Sequence, residues 1–154
     1  MALKIVGVDS LITELHNTAK RASEGARFAM ADGAEEIAQL ARDYAPLELG
    51  NLEEAIKTDM VKQHSRARAH FTVYVDEDVS AENPEEPSTL GKKVGDYALI
   101  MHETSYKLGK YSAMKQASNP EKMVGTKFLE RAVLDLEDKI TQEVADMVNV
   151  RVGK

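Results

Sequence analysis

Few residues in this sequence could bind a metal ion or transfer a proton. His102 and Glu103 begin like the zinc-protease motif His-Glu-x-x-His, but its second histidine would fall at position 106, which is Tyr106. His64 and His70 are an even number of residues apart, so one strand could place both on the same face. Together with Glu103 they could bind zinc. Histidines that face solvent or another subunit are the simpler interpretation.

Motifs for phosphate binding and nucleophilic catalysis are absent from the sequence. Gly91-Lys92-Lys93 lacks the glycine that a phosphate-binding loop needs five residues earlier, because position 86 is glutamate. There is no Gly-x-Ser-x-Gly elbow, and the lack of cysteine excludes disulfides and thiolate metal sites. We therefore expect no catalytic residue, cofactor, metal or small-molecule substrate. A small metal-dependent hydrolase using His102 and Glu103 is the alternative from another class.

The length and the net charge of the chain limit the classes of protein to which it could belong. The chain has 154 residues, an ordinary domain size, so we expect a single domain over residues 1–154. Its net charge is −6, opposite in sign to that of most proteins that grip DNA through phosphates. No apolar run approaches the roughly 20 residues of a membrane span. The composition predicts a soluble, acidic, intracellular domain without membrane association.

A long helix is the first major element of the predicted fold. It follows a short strand over residues 3–8, which is rich in β-branched side chains. Apolar or small residues then recur at steps of three or four, the period of an α-helix. These positions are Leu11, Leu15, Ala19, Ala22, Ala26, Ala29, Gly33, Ile37, Leu40 and Tyr44. Pro46 ends the helix, because proline disfavours helical backbone at the residue before it.

Small residues line the middle of this helix. Ala19, Ala22, Ala26 and Ala29 lie on the apolar stripe, and Gly25 is close to it. Small side chains let another backbone approach closely, which permits two interpretations. The helix either packs tightly inside its own domain or contacts a neighbouring subunit along this strip. The four alanines are therefore candidate subunit-interface residues.

Residues 66–75 alternate strictly between apolar and polar side chains, as in a strand with one buried face. A second strand is expected over residues 55–61, which gives an antiparallel sheet. Arg66, Arg68 and His70 form a basic row on the polar face. This row either faces water beside nearby acids or contacts an acidic partner, such as the acidic loop of a neighbouring subunit, or DNA.

Residues 77–96 interrupt the regular pattern with acids, prolines and glycines. Loops of about this length are usually functional or disordered, so we expect a variable, mobile loop. Its acids Glu82, Glu85 and Glu86 are candidate subunit-interface residues. A short apolar patch at residues 97–101 and a second loop follow, and a C-terminal helix starts near Thr126, which is a candidate N-cap.

The predicted fold is α+β. Its elements are a short N-terminal strand, a long N-terminal helix, an antiparallel β-sheet, a long variable loop and a C-terminal helix packed on the sheet.

Three segments occur in an order and spacing typical of one protein family. Residues 45–56 contain Ala-Pro…Gly-x-Leu…Ile, residues 97–103 contain Tyr-Ala…Glu with histidine before the glutamate, and residues 125–132 contain Gly-x-Lys-Phe-Leu-Glu-x-Ala. Together they resemble the small neck, tail-completion or minor tail component proteins of long-tailed bacteriophages. One departure is that Thr104 and Ser105 follow the glutamate, where many members have an aromatic residue, glycine and threonine.

The residues that carry this resemblance specify an architecture more than a site. Gly50 permits a turn with positive φ, and Leu52 is expected in the core. Tyr97, Ile100 and Met101 should pack under the loop at 77–96. The structural residues of the motifs are Pro46, Gly50, Leu52, Tyr97, Glu103, Phe128 and Leu129.

The resemblance implies a subunit without catalytic activity that assembles as a ring between the capsid connector and the tail. Its partners would be other copies of itself and other neck, connector or tail proteins. Genomic DNA would pass close by without specific binding, and an acidic conduit would repel it. The expected location is the virion, with the host cytoplasm during assembly. A minor capsid or tail-terminator subunit is the alternative in the same class.

Overall fold

The computed structural model describes residues 8–61, 70–83 and 85–153. Five helices and two strands are named here in chain order. They are α1 (Val8–Tyr44), α2 (Asn51–Ala55), β1 (Ile56–Val61), β2 (His70–Val75), α3 (Ala98–Glu103), α4 (Lys110–Ser118) and α5 (Phe128–Val152). Two short 3₁₀ turns, Pro87–Thr89 and Val94–Asp96, lie between β2 and α3. The α+β class is confirmed.

The two long helices form an antiparallel pair. α1 contains 37 residues, which corresponds to a length of about 55 Å. Gly25 of α1 lies beside Arg151 of α5, while Tyr44 at the other end of α1 hydrogen-bonds Asp135. The main neighbour of α5 is thus α1. The expectation that α5 packs on the sheet is wrong for most of its length, because its apolar stripe matches that of α1.

The sheet consists of β1 and β2 in antiparallel pairing, with Ile56 opposite Val75 and Val61 opposite His70. Both strands agree with the sequence prediction where they are described. Val73 and Val75 pack against the core, whereas His70 and Tyr74 are exposed, as the alternation predicted. Residues 62–69 lie outside the described range. The predicted N-terminal strand over residues 3–8 also lies outside the described range, except for Val8, which is the first residue of α1.

The core is built largely from small side chains. Its fully buried large residues are Phe128, Ile56 and Val94, and alanines fill much of the remaining contact surface. The buried alanines of this cluster are Ala38, Ala41, Ala45, Ala55, Ala81, Ala98 and Ala132. The core therefore lies where the C-terminal end of α1, the sheet and the first turns of α5 come together.

Three sequence predictions in the second half of the chain need correction. Helix α4 occupies part of the stretch that was expected to be a loop. α5 begins at Phe128, and the preceding Lys127 has left-handed backbone, so Thr126 is not its cap. Ile100 is exposed, because α3 turns it away from the core, whereas Tyr97 and Met101 do pack there.

Residues 77–96 fold back on the core through backbone hydrogen bonds. The amide of Ala81 donates to the carbonyl of Lys92 over 2.9 Å, and the amide of Val94 donates to the carbonyl of Val79 over 2.9 Å. Val94 is fully buried. The base of the loop is thereby anchored, and its acids lie farther out.

Candidate functional site

The three segments that carry the family resemblance contact one another at one end of the molecule. α1 ends before Pro46, and Gly50 then adopts left-handed backbone with φ 88°. The amide of Gly125 donates to the carbonyl of Tyr44, and the amide of Lys127 donates to the carbonyl of His102, each over 2.8 Å. We call this region the motif corner.

Side chains from all three segments share the core of the motif corner. Leu52 from the first segment, Ala98 from the second and Phe128 from the third are buried in one cluster. Tyr97 and Leu129 are partly buried against the same cluster. The positive φ predicted for Gly50 is confirmed.

Glu103 links the second and third segments through an ion pair with Lys127. Its Oε2 lies 2.6 Å from Nζ of Lys127, and its Oε1 lies 2.8 Å from Nδ1 of His102. These two hydrogen bonds, that of Lys127 first, hold the pKa of the Glu103 carboxyl below its usual range. The His102 ring also contacts Phe128 edge to face, with 4.9 Å between the ring centroids. His102 and Glu103 therefore help to join α3 to α5.

The residues of the hydrolase alternative take part in contacts between side chains. Both oxygens of Glu103 are engaged by its neighbours. Within residues 8–61, 70–83 and 85–153, no three histidine, aspartate or glutamate side chains are grouped to hold a metal ion. His70 is exposed, and His64 lies outside the described residues.

Lys115 of α4 caps the C-terminal end of α1. Its Nζ donates to the carbonyls of Arg42 and Ala45, at 2.6 and 2.8 Å, and pairs with Glu53. A cation near the last carbonyls of a helix also interacts favourably with its dipole. Ser112 adds two hydrogen bonds of 2.9 Å with the backbone of Leu47. Neither role could be predicted from the sequence, because the partners of both residues are about 65 positions or more away in the chain.

An open cleft of about 690 Å³ lies beside the motif corner. Its walls are the turn at residues 46–52, the loop at 81–96 and the segment at 106–112. Apolar surface comes from Leu47, Leu49, Met101 and Tyr111. Its charged lining has both signs, with Lys92, Lys107, Lys110, Glu48, Glu86 and Asp96. We call this feature the turn cleft.

The alanine strip of α1 divides into an inner and an outer part. Ala29 is only 5% exposed within the single chain, so it is not available to another subunit. It lies one helical turn from Gly33, whose missing side chain makes room for Ile140 of α5. Ala22 and Ala26 are half-buried and Ala19 is exposed. The subunit-interface prediction is therefore wrong for Ala29, because α5 covers that side of α1.

The other candidate interface residues are exposed or lie outside the described range. Glu82, Glu85 and Glu86 are exposed, and Oε1 of Glu82 accepts a hydrogen bond from the amide of Gly91. Arg66 and Arg68 lie outside the described residues. Whether these charges contact another subunit stays a prediction.

The first turns of α1 expose an apolar surface that includes Leu11 and Leu15 of the predicted stripe. Leu11, Ile12 and Leu15 are 55%, 58% and 62% exposed. They remain uncovered because α5 reaches its end opposite Gly25, where Arg151 lies. We call residues 8–21, which extend past this point, the α1 tip.

In the described part of the chain, no helix is both long enough and apolar enough to cross a membrane. Comparisons of the chain with models of protein families, with curated proteins and with solved structures give no match.

Proposed function

We propose that this protein is a structural subunit of a tailed-bacteriophage virion, located at the head–tail junction. It would form a neck or tail-completion ring that joins the capsid connector to the tail and lines the DNA conduit. The motif corner is the observation that carries this proposal. Three segments that resemble one family, and that lie far apart in sequence, contact one another in the fold.

The contacts in the motif corner give the resemblance a physical basis. Gly50 has the positive φ that its place in the first segment implies, and Glu103 pairs with Lys127 across the second and third segments. Leu52 and Phe128 are buried together in one core. The three segments thus form one structural unit, which supports the proposal.

The charge of the protein is compatible with a conduit for DNA. The chain has 26 acidic and 20 basic residues, and the acids Glu82, Glu85 and Glu86 are exposed. Acidic surface repels phosphates, so DNA would pass without binding. Partners in this proposal are other copies of the chain and the neck, connector or tail proteins above and below the ring.

Particle biochemistry tests the proposal directly. The gene is inactivated in the phage that carries it, and particles are examined by electron microscopy with and without the protein supplied in trans. Filled heads separate from tails are expected without it, and mass spectrometry should find it in intact particles. Normal particles that lack the protein would overturn the proposal.

The same experiment separates the alternatives. Defective capsids would favour a minor capsid subunit, and tails of uncontrolled length would favour a tail terminator.

Metal analysis of the purified protein addresses the hydrolase, which requires a stoichiometric ion. Leu134→Gln, at an exposed position of α5, serves as a control variant that should restore normal particles.

A further inference from the structure

We infer that residues 104–109 form a strap that opens and closes while the rest of the fold stays intact, and that its opening lets buried polar groups of Tyr106 and Arg131 reach solvent. The strap joins the end of α3 to the start of α4 and forms part of one wall of the turn cleft. Its opening would therefore widen that cleft. The inference goes beyond the proposed function and does not depend on it.

The two helices that flank the strap are anchored to other elements. At the end of α3, the carbonyl of His102 accepts a hydrogen bond of 2.8 Å from the amide of Lys127. In α4, Ser112 hydrogen-bonds the backbone of Leu47, and Lys115 binds the carbonyls at the end of α1. A movement between these fixed helices would be confined to the strap, whose ends supply the hinges.

The strap itself is held only by the packing of two side chains. In the part of the chain that the structure describes, residues 105–108 form no hydrogen bond with another residue. Tyr106 and Leu108 are half-buried, whereas Ser105 and Lys107 are exposed, which is the alternation of an extended segment with one side against the protein. Segments with few hydrogen bonds and little buried surface open at a low free energy.

Polar groups are buried without partners when the strap is closed. The hydroxyl of Tyr106 and the Nε and Nη2 atoms of Arg131 are shielded from solvent, and none of them has a hydrogen-bond partner in the described residues. Burial raises the pKa of Tyr106 and the positive charge of Arg131 opposes this rise, so the two groups lie near each other. Unpaired buried polar groups destabilise the closed state, because in water they would be hydrogen-bonded.

Other contacts hold the guanidinium of Arg131 in place without satisfying these two atoms. Its Nη1 donates to the carbonyl of Met123 over 2.5 Å, and its Cζ lies 4.8 Å from the centroid of the Tyr44 ring. Nε and Nη2 share another edge of the group. A rotation of the side chain toward a new partner would break both contacts. Solvent that enters when the strap opens is therefore the partner that remains.

Two opposing effects bring the closed and the open state close in free energy. Closing removes apolar surface of the Tyr106 ring and of Leu108 from water, which favours the closed state. Opening gives water to the three unpartnered atoms of Tyr106 and Arg131, which favours the open state. A ligand that binds the widened turn cleft would shift this equilibrium toward the open state.

Thiol labelling of the full chain measures the opening. The chain contains no cysteine, so a single introduced thiol reports on one position. Leu108→Cys places the thiol on the half-buried side of the strap. Lys107→Cys, at the exposed neighbouring position, gives the rate without protection, and Ala132→Cys, at a fully buried position of the core, reacts only when the core unfolds. Circular dichroism checks that all three variants are folded.

The labelling rates should separate the strap from the core. We expect Leu108→Cys to react about tenfold or more slowly than Lys107→Cys, and about tenfold or more rapidly than Ala132→Cys. Low urea should accelerate labelling of Ala132→Cys and leave that of Leu108→Cys nearly unchanged, because sensitivity to urea scales with the surface exposed. A rate for Leu108→Cys equal to that of Ala132→Cys means that the strap opens only with the core, and a rate equal to that of Lys107→Cys means that it has no closed state. Either result would overturn the inference.

Tyr106→Phe in the Leu108→Cys background tests the cause of the opening. It removes a hydroxyl that only the open state satisfies, so labelling should slow by about tenfold. Direct reaction of a half-buried thiol in the closed state would not respond to this hydroxyl. Tyr111→Phe, at a half-exposed position outside the strap, should leave the rate unchanged. An unchanged or faster rate in Tyr106→Phe contradicts the inference.

Proton exchange at the guanidinium of Arg131 tests whether the strap covers this group. NMR should show that the Nε proton of Arg131 exchanges more slowly in Tyr106→Phe than in the parent, by about the same factor as the thiol labelling. The Nε proton of Arg42, which is donated to the carbonyl of Ile56 over 3.2 Å, should exchange at the same rate in both proteins. Equal exchange at Arg131 in both proteins would show that the strap does not cover it.

Discussion

Gly33 of α1 leaves the space that Ile140 of α5 occupies. A Cβ atom at position 33 would lie 2.7 Å from Cγ2 of Ile140 and 3.0 Å from Cγ1. The distances are shorter than side-chain carbons tolerate, and Ile140 is branched next to its backbone, so it cannot simply swing away. The glycine therefore sets how closely the two long helices approach.

Gly33→Ala should destabilise the parent protein but stabilise an Ile140→Ala variant. In the parent, overpacking outweighs the better helix propensity of alanine, with a net loss of about 1 kcal/mol. In the Ile140→Ala background the space is free, and alanine should add up to about 1 kcal/mol. Urea unfolding of the four proteins measures both differences. The same sign in both backgrounds would contradict the contact.

Gly50→Val should destabilise the protein by more than about 1 kcal/mol, because a β-branched residue disfavours positive φ. Nothing lies within 4 Å of a Cβ at this position, so the cost would be purely conformational. Gly50→Asn is the matched control at the same position. Asparagine tolerates positive φ better than a β-branched residue does, so its cost should be smaller. If the thermal unfolding midpoint of Gly50→Val equals that of the parent, the turn is of a type that does not require positive φ.

The sequence predicted those parts of the fold that depend on local periodicity. The stripe from Leu11 to Tyr44 predicted α1, and Pro46 marked its end correctly. The strands were predicted from alternation and from β-branched residues. A positive φ was expected at Gly50 because glycine adopts it in a turn without steric cost.

Contacts between distant residues explain what the sequence did not predict. Periodicity shows that a helix has an apolar stripe, but not how much of it a partner covers, so the exposure of Leu15 was missed. α4 lacks a strong apolar stripe, and it is held by Ser112 and Lys115, whose backbone partners lie near the end of α1. The ion pair of Glu103 with Lys127 spans two segments that only the fold brings together.

The Tyr44 hydroxyl should make stability fall steeply in alkali. Burial, and then its hydrogen bond of 2.5 Å to Asp135, raise the pKa of Tyr44 to about 12. The unfolded chain loses this proton near pH 10 and the folded chain near pH 12. The stabilisation by the protonated hydroxyl is therefore complete below pH 10 and is lost between pH 10 and pH 12. The loss is on the order of 2 kcal/mol.

Tyr44→Phe isolates this contribution. The variant should be less stable than the parent at pH 7, by about 1–2 kcal/mol for the lost hydrogen bond, and the difference should vanish toward pH 12. Urea unfolding between pH 7 and pH 12 measures the difference. Tyr111→Phe, at a half-exposed position, controls for the loss of a hydroxyl and should change little at pH 7. A constant difference up to pH 12 would contradict this account.

Val94 should control how readily proteases cut the loop at residues 77–96. Its side chain is fully buried, and its amide bonds the carbonyl of Val79, so Val94→Ala removes packing that fastens the loop to the core. Limited proteolysis should become faster within the loop. Leu90→Ala, at an 80% exposed position of the same loop, should leave the rate unchanged. Equal rates in all three proteins would mean that the loop opens without releasing Val94.

Lys127 should hold the pKa of Glu103 below its ordinary value. NMR titration of the Glu103 carboxyl should give a low pKa in the parent, a pKa nearer its ordinary value in Lys127→Met, and a low pKa again in Lys127→Arg. Lys139→Met removes a lysine of α5 that pairs with Glu36 over 2.6 Å, and it should not move the titration.

The acid dependence of stability gives a second measure of the same ion pair. A carboxyl whose folded pKa is lowered stabilises the fold above its unfolded pKa, and this stabilisation disappears as pH falls through the folded value. Glu103→Gln should therefore be less stable than the parent at pH 7 and equal to it in strong acid. If both proteins differ by the same amount at every pH, Glu103 contributes through packing alone. The second and third family segments would then be joined mainly by Phe128 and the backbone hydrogen bond from Lys127 to His102.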